Sequence, residues 1–138
     1  RVGNDGIWVA EVLFLKHAEA KNFCIVDAAM NDLPRPAMYE AYHQIVPVKQ
    51  AQADAAATTY DVVGPVCESG DWLGRDRALS VQQGDLLAVL SAGAYCMSMS
   101  STYNSRGRAA EVLIADGQPH LVAPRESVKE IYQRERLL

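Results

Sequence analysis

Tyr60-Asp61-Val62-Val63-Gly64-Pro65-Val66-Cys67-Glu68-Ser69-Gly70-Asp71 changes character halfway along. Its first half is an apolar run that predicts a strand over Tyr60 to Val66. Its second half sets a thiol, a carboxylate and a hydroxyl between two glycines, with a second carboxylate directly after them. Glycines let the backbone turn sharply and approach another group, while Cys67 offers a proton and Glu68 a counter-charge for an ammonium group. A strand that ends in such a turn has the makeup of a site.

Working outward, the neighbouring segments read the same way. Ile7 to Leu15 is apolar apart from Glu11, which predicts a strand buried on both faces. Asn22 to Ala29 predicts its hairpin partner across the polar Lys16 to Lys21. Gln44 to Val48 is a further short strand, and Leu86 to Ser91 follows the Gly84-Asp85 turn as another. Asp116-Gly117 is a two-residue turn between Ala109 to Ala115 and His120 to Ala123, so a last hairpin is expected there. Pro36 suits the start of a short helix through Tyr42, with Arg35 and Tyr39 one turn apart on one side. Glu126 to Arg136 carries Val128, Ile131 and Tyr132 at helical spacing, with Glu130 and Arg134 as an i,i+4 pair. Trp72 to Ser80 reads as a charged connection, Ala51 to Ala57 as a surface loop, and Cys96 to Ser100 as a helical turn or a strand extension. The expected fold is mainly β, a β-barrel or sandwich of about seven strands with two short helices.

The 138-residue chain suits one domain, residues 1–138. With 49% hydrophobic and 22% charged residues, disorder is excluded, and no apolar run is long enough for a membrane helix. A net charge of −4 argues against a nucleic-acid surface. Three cysteines, Cys24, Cys67 and Cys96, cannot all pair within the chain and favour a reducing cytoplasm. His17, His43 and His120 show no ligand spacing with Cys67, so no metal site is expected.

The turn from Gly64 to Asp71, together with Gly93-Ala94-Tyr95, Tyr103 to Leu113 and Asn22 to Tyr39, resembles the C-terminal region of the diaminopimelate decarboxylases. These are pyridoxal-phosphate enzymes of lysine synthesis, and the resemblance covers almost the whole chain. It implies a C-terminal β-barrel related to that of alanine racemase, preceded by an α/β barrel whose lysine holds the cofactor. The chain is accordingly expected to be one part of a longer enzyme and inactive alone.

Decarboxylation leaves an electron pair on carbon, which the ring of pyridoxal 5'-phosphate takes up while the protein orients the substrate and returns a proton. By resemblance, Cys67 is that catalytic proton donor, Arg35 takes the distal carboxylate of the substrate and Glu68 its distal ammonium. Tyr39 assists with the substrate, and Tyr95 touches both cofactor and substrate. The substrate is a small amino acid, meso-diaminopimelate, converted to L-lysine and carbon dioxide. A homodimer is implied, with Cys67 and Glu68 entering the neighbouring subunit's site. Related ornithine or arginine decarboxylases and a non-catalytic β-domain used for assembly are the alternatives. Relatives that act on ornithine or arginine usually carry Asp after the cysteine, and a substrate without a distal carboxylate has no use for Arg35. One departure from the family pattern is Gly107, where a proline is usual between Arg106 and Arg108, and a looser turn is expected from it.

Overall fold

The computed structural model describes residues 2–49 and 56–138. The elements run α1 (Val2–Asp5), β1 (Trp8–Lys16), β2 (Phe23–Val26), α2 (Arg35–Tyr39), β3 (Ile45–Pro47), β4 (Thr58–Val63), β5 (Trp72–Leu79), β6 (Leu86–Val89), β7 (Glu111–Ala115), β8 (Gln118–Ala123) and α3 (Val128–Tyr132). Two single 3-10 turns, Met97–Met99 and Tyr103–Ser105, lie between β6 and β7. Six strands form one sheet in the order β3-β6-β1-β2-β4-β5, and β7 pairs only with β8. The edge strands β3 and β5 converge where Ile45 packs against Gly74, so the six-stranded sheet is nearly closed on itself. The expected β-barrel is present, with eight strands among the described residues rather than seven.

The core is the inside of this sheet: Ala10, Val12, Cys24, Val26, Leu33, Tyr60, Val62, Leu73, Leu79, Leu87 and Val89. Strand β1 is buried on one face and not on both, because Val9, Glu11 and Leu13 point outward. It carries one extra residue opposite β2, since Val12 faces Val26 but Phe14 faces Ile25. This bulge reverses the inside–outside alternation, turning Phe14 out and bringing Leu15 onto the core.

Trp72 to Leu79 is a strand and not the expected connection. Its charged middle hides the alternation because the backbone bulges there: Tyr60 faces Arg77 while Val62 faces Gly74, and Asp76 takes φ 52°. The Asp76 N–H donates to Asp61 Oδ1 at 2.9 Å, and Lys21 Nζ bridges Asp61 at 2.8 Å, so the bulge is held by side chains.

The hairpin turn at Asp116-Gly117 is as expected, with φ 51° and 72° matching a primed two-residue turn. Pro36 stands in the first turn of α2. Cys96 to Ser100 resolves as a helical turn over Met97–Met99. In α3 the expected Glu130–Arg134 pair gives way to a capping box, in which Glu130 Oε2 accepts from the Ser127 N–H at 2.7 Å. The helix stops at Tyr132, before Arg134. Most of the expected Ala51 to Ala57 loop lies outside the described residues. Gly107 is not a loose turn, because a Cβ there would stand 2.2 Å from the Glu126 carbonyl oxygen. The two flanking segments are also tied by Arg108, which donates to the Glu126 carboxylate through both its backbone N–H and its guanidinium.

Candidate active site

Strand β4 delivers its chain into the turn from Gly64 to Asp71, and the carboxylate of Asp71 organises that turn. Its Oδ2 accepts the Val66 N–H at 2.7 Å and its Oδ1 accepts the Met30 N–H at 2.7 Å. The Asp71 backbone closes the loop, its carbonyl taking the Gly64 N–H at 3.0 Å and its N–H reaching the Glu68 carbonyl at 3.0 Å. Gly64 is required by close approach, since a Cβ would meet Asp71 Oδ2 at 2.3 Å. Burial pushes the Asp71 carboxyl above its ordinary pKa, and the two N–H donors and Arg106 oppose that shift.

On this turn Val66 points into the core while Cys67 and Glu68 point out to solvent. The Tyr103 hydroxyl donates to Glu68 Oε2 at 3.0 Å. That bond, which favours the neutral phenol, raises the Tyr103 pKa.

A second group forms at α2. Arg35 is the first residue of the helix, and its guanidinium lies over the Tyr95 ring, 5.9 Å from the centroid. Tyr95 follows β6 with φ 61°, an uncommon conformation for a residue with a side chain, and it is 59% exposed. Tyr39 ends α2 and is 60% exposed. The structure therefore brings Cys67 and Glu68 together with Tyr103, and Arg35 together with Tyr95.

The two halves of the first group, the Cys67 turn and the Tyr103 segment, are both fixed to one segment, Asp27 to Asp32. Asp71 ties the Cys67 turn to Met30. Arg106 Nε donates to Asn31 Oδ1 at 3.1 Å, and the same guanidinium reaches the Asp27 carbonyl. Asn31 and Ser101 exchange two further hydrogen bonds, at 2.9 and 3.1 Å. Asp71, Tyr103 and Arg106 have no site role in the sequence reading. Their spacings from their partners, 41, 35 and 75 positions, leave no local signal to find.

None of the five residues expected in the site lines the cavity of about 640 Å³ elsewhere in the chain, which is bounded by Trp8, Asp32, Cys96, Glu111, Leu113 and Val122. Tyr39, Cys67, Glu68 and Tyr95 are exposed, and Arg35 is half-buried. The described residues hold no cluster of three metal-ligating side chains. His43 is buried with Nδ1 at 3.0 Å from the Leu90 carbonyl. No helix among them is long and apolar enough to cross a membrane.

Comparison with known proteins places the chain in a family. The family model described as pyridoxal-dependent decarboxylase, C-terminal sheet domain, matches residues 4–93. A diaminopimelate decarboxylase of Pseudomonas aeruginosa is 56% identical over 99% of this chain and 32% of its own length. One of Vibrio cholerae is 53% identical over 98% of this chain and likewise 32% of its own. The crystal structure of a diaminopimelate decarboxylase from M. jannaschii in complex with L-lysine superposes with a TM-score of 0.93 at 36% identity, covering 99% of this chain and 31% of that one. An arginine decarboxylase of Paramecium bursaria Chlorella virus, at 13% identity and a TM-score of 0.69, shares the fold. The chain thus spans about a third of the length of the curated relatives it matches. With the matched residues running from before β1 to beyond β6, this chain belongs to the family of pyridoxal-dependent decarboxylase C-terminal sheet domains.

Proposed function

We propose that residues 1–138 form the C-terminal domain of a diaminopimelate decarboxylase, which converts meso-diaminopimelate to L-lysine and carbon dioxide. The observation that carries this reading is that the chain presents both charges the substrate needs: Arg35, over Tyr95, and Glu68, beside Cys67 with the Tyr103 hydroxyl on its Oε2. The distal end of the substrate is itself an amino acid, so its recognition needs a cation and an anion. Arg35 presents a planar fork to the distal carboxylate, and Glu68 faces the distal ammonium. Relatives that are 50–56% identical and carry this enzyme's name support the same substrate.

The cofactor is pyridoxal 5'-phosphate, and the residues present fit one side of it. Tyr95 is an exposed tyrosine with the Arg35 guanidinium over its ring, and its hydroxyl is a donor suited to a phosphate or a carboxylate. When bound, the group supplies the electron sink for loss of carbon dioxide. Cys67 Sγ carries the proton that the same carbon gains after carbon dioxide departs, and Asp71 holds the turn on which that thiol rides. Tyr39 borders the substrate from the end of α2. The exposure of Cys67 and Glu68 fits a homodimer in which they complete the neighbouring subunit's site, with an α/β barrel supplying the lysine that anchors the cofactor. Three unpaired cysteines fit a cytoplasmic enzyme.

Carbon dioxide release by the full-length protein, measured with meso-diaminopimelate, ornithine and arginine, tests the proposal. Turnover confined to diaminopimelate is expected. Preference for ornithine or arginine would transfer the chain to that branch of the family, and no turnover with any of the three would leave a domain used for assembly.

A further inference from the structure

Glu68 lies on an exposed turn, where a free glutamate samples many rotamers and must surrender that freedom when it binds a cation. Here one of its oxygens is already engaged, because the Tyr103 hydroxyl donates to Oε2 at 3.0 Å. The two residues are 35 positions apart, yet each is anchored to the same short segment. Asp71 fastens the Glu68 turn to Met30, while Arg106 and Ser101 fasten the Tyr103 segment to Asn31. Between those anchors Asn104 and Ser105 both adopt left-handed backbone, φ 60° and 56°, a costly arrangement for two consecutive residues with side chains. We infer that Tyr103 is a positioning residue, which holds the Glu68 carboxylate in place for the ammonium group at the substrate's distal end.

This inference rests on the role of Glu68 proposed above. A phenol has few rotatable bonds and a single proton to give, so it fixes Oε2 and leaves Oε1 free to face the cation. The device acts through Glu68 alone and gives Tyr103 no contact with the reacting carbon.

Two ligands separate the possibilities. L-lysine keeps an ammonium next to its carboxylate, whereas 6-aminohexanoate has the carboxylate and the far amine but lacks that ammonium. Their affinities for the full-length holoenzyme and for its Tyr103→Phe, Glu68→Gln and doubly substituted forms are measured by calorimetry. Tyr103→Phe is expected to weaken lysine roughly fivefold, the size of one net hydrogen bond, and to leave 6-aminohexanoate unchanged. Glu68→Gln is expected to erase the preference for lysine, and Tyr103→Phe to add nothing further in that background. Equal weakening of both ligands by Tyr103→Phe, as a merely structural role predicts, overturns the inference. So does an unchanged lysine affinity, and in that case a normal Glu68→Gln effect leaves the role of Glu68 standing. If Glu68→Gln itself leaves the preference intact, the role of Glu68 and this inference fall together.

Discussion

The carboxylate of Asp71 reaches across 41 positions of sequence to accept the Met30 N–H at 2.7 Å. The same side chain holds Val66 from within its own turn, so one buried group joins the end of β4 to the segment after β2. Cys67 and Glu68 are placed by this joint.

Asp71→Asn is therefore expected to destabilise the full-length protein by about 1–3 kcal/mol, because an amide has one oxygen for two N–H donors and turns its NH2 toward the other. A urea denaturation series gives the value. An unchanged midpoint with unchanged slope would remove Asp71 as the organiser of the turn.

Arg35→Ala should weaken diaminopimelate by roughly 2–5 kcal/mol while sparing a diamino acid that has no distal carboxylate. The comparison is made on kcat/KM for the two substrates. Equal losses would point instead to the cation–π support that Arg35 gives Tyr95.

Cys67→Ala is expected to slow turnover about 10²–10⁴-fold with cofactor content unchanged. Mixed with a variant lacking only the cofactor-anchoring lysine of the barrel, it should regain activity, since one site of a mixed dimer then holds both native groups. Verified mixed dimers that stay inactive would show that Cys67 does not act across the interface.

The three thiols should also part company in alkylation. Burial pushes Cys24 up to about 11, and burial with Asp32 and Glu111 nearby pushes Cys96 up to about 12, so both stay protonated and unreactive near neutral pH. Cys67 is exposed. Peptide mapping after brief iodoacetamide treatment at about pH 8 should find label on Cys67 first, with Cys24 and Cys96 labelled only on unfolding. Early label on Cys96 would mean that its packing against the core opens readily.

Much of the fold is legible because it is written locally. The apolar runs of β1, β2, β4 and β6 and the Asp116-Gly117 turn need only their own residues, and so does the entry of Pro36 into α2. The resemblance likewise reads from contiguous motifs, which is why Cys67, Glu68, Arg35, Tyr39 and Tyr95 were all nameable from the sequence. Strand β5 was not legible, because the bulge at Asp76 breaks the alternation that a strand is read by, and the ladder with β4 repairs it. Bulging likewise decides which face of β1 is buried past Val12. The roles of Asp71, Tyr103 and Arg106 belong to tertiary structure alone. A hydrogen bond depends on which segments the sheet order brings side by side, and the Asp27 to Asp32 segment meets both loops only once the six strands have closed on each other.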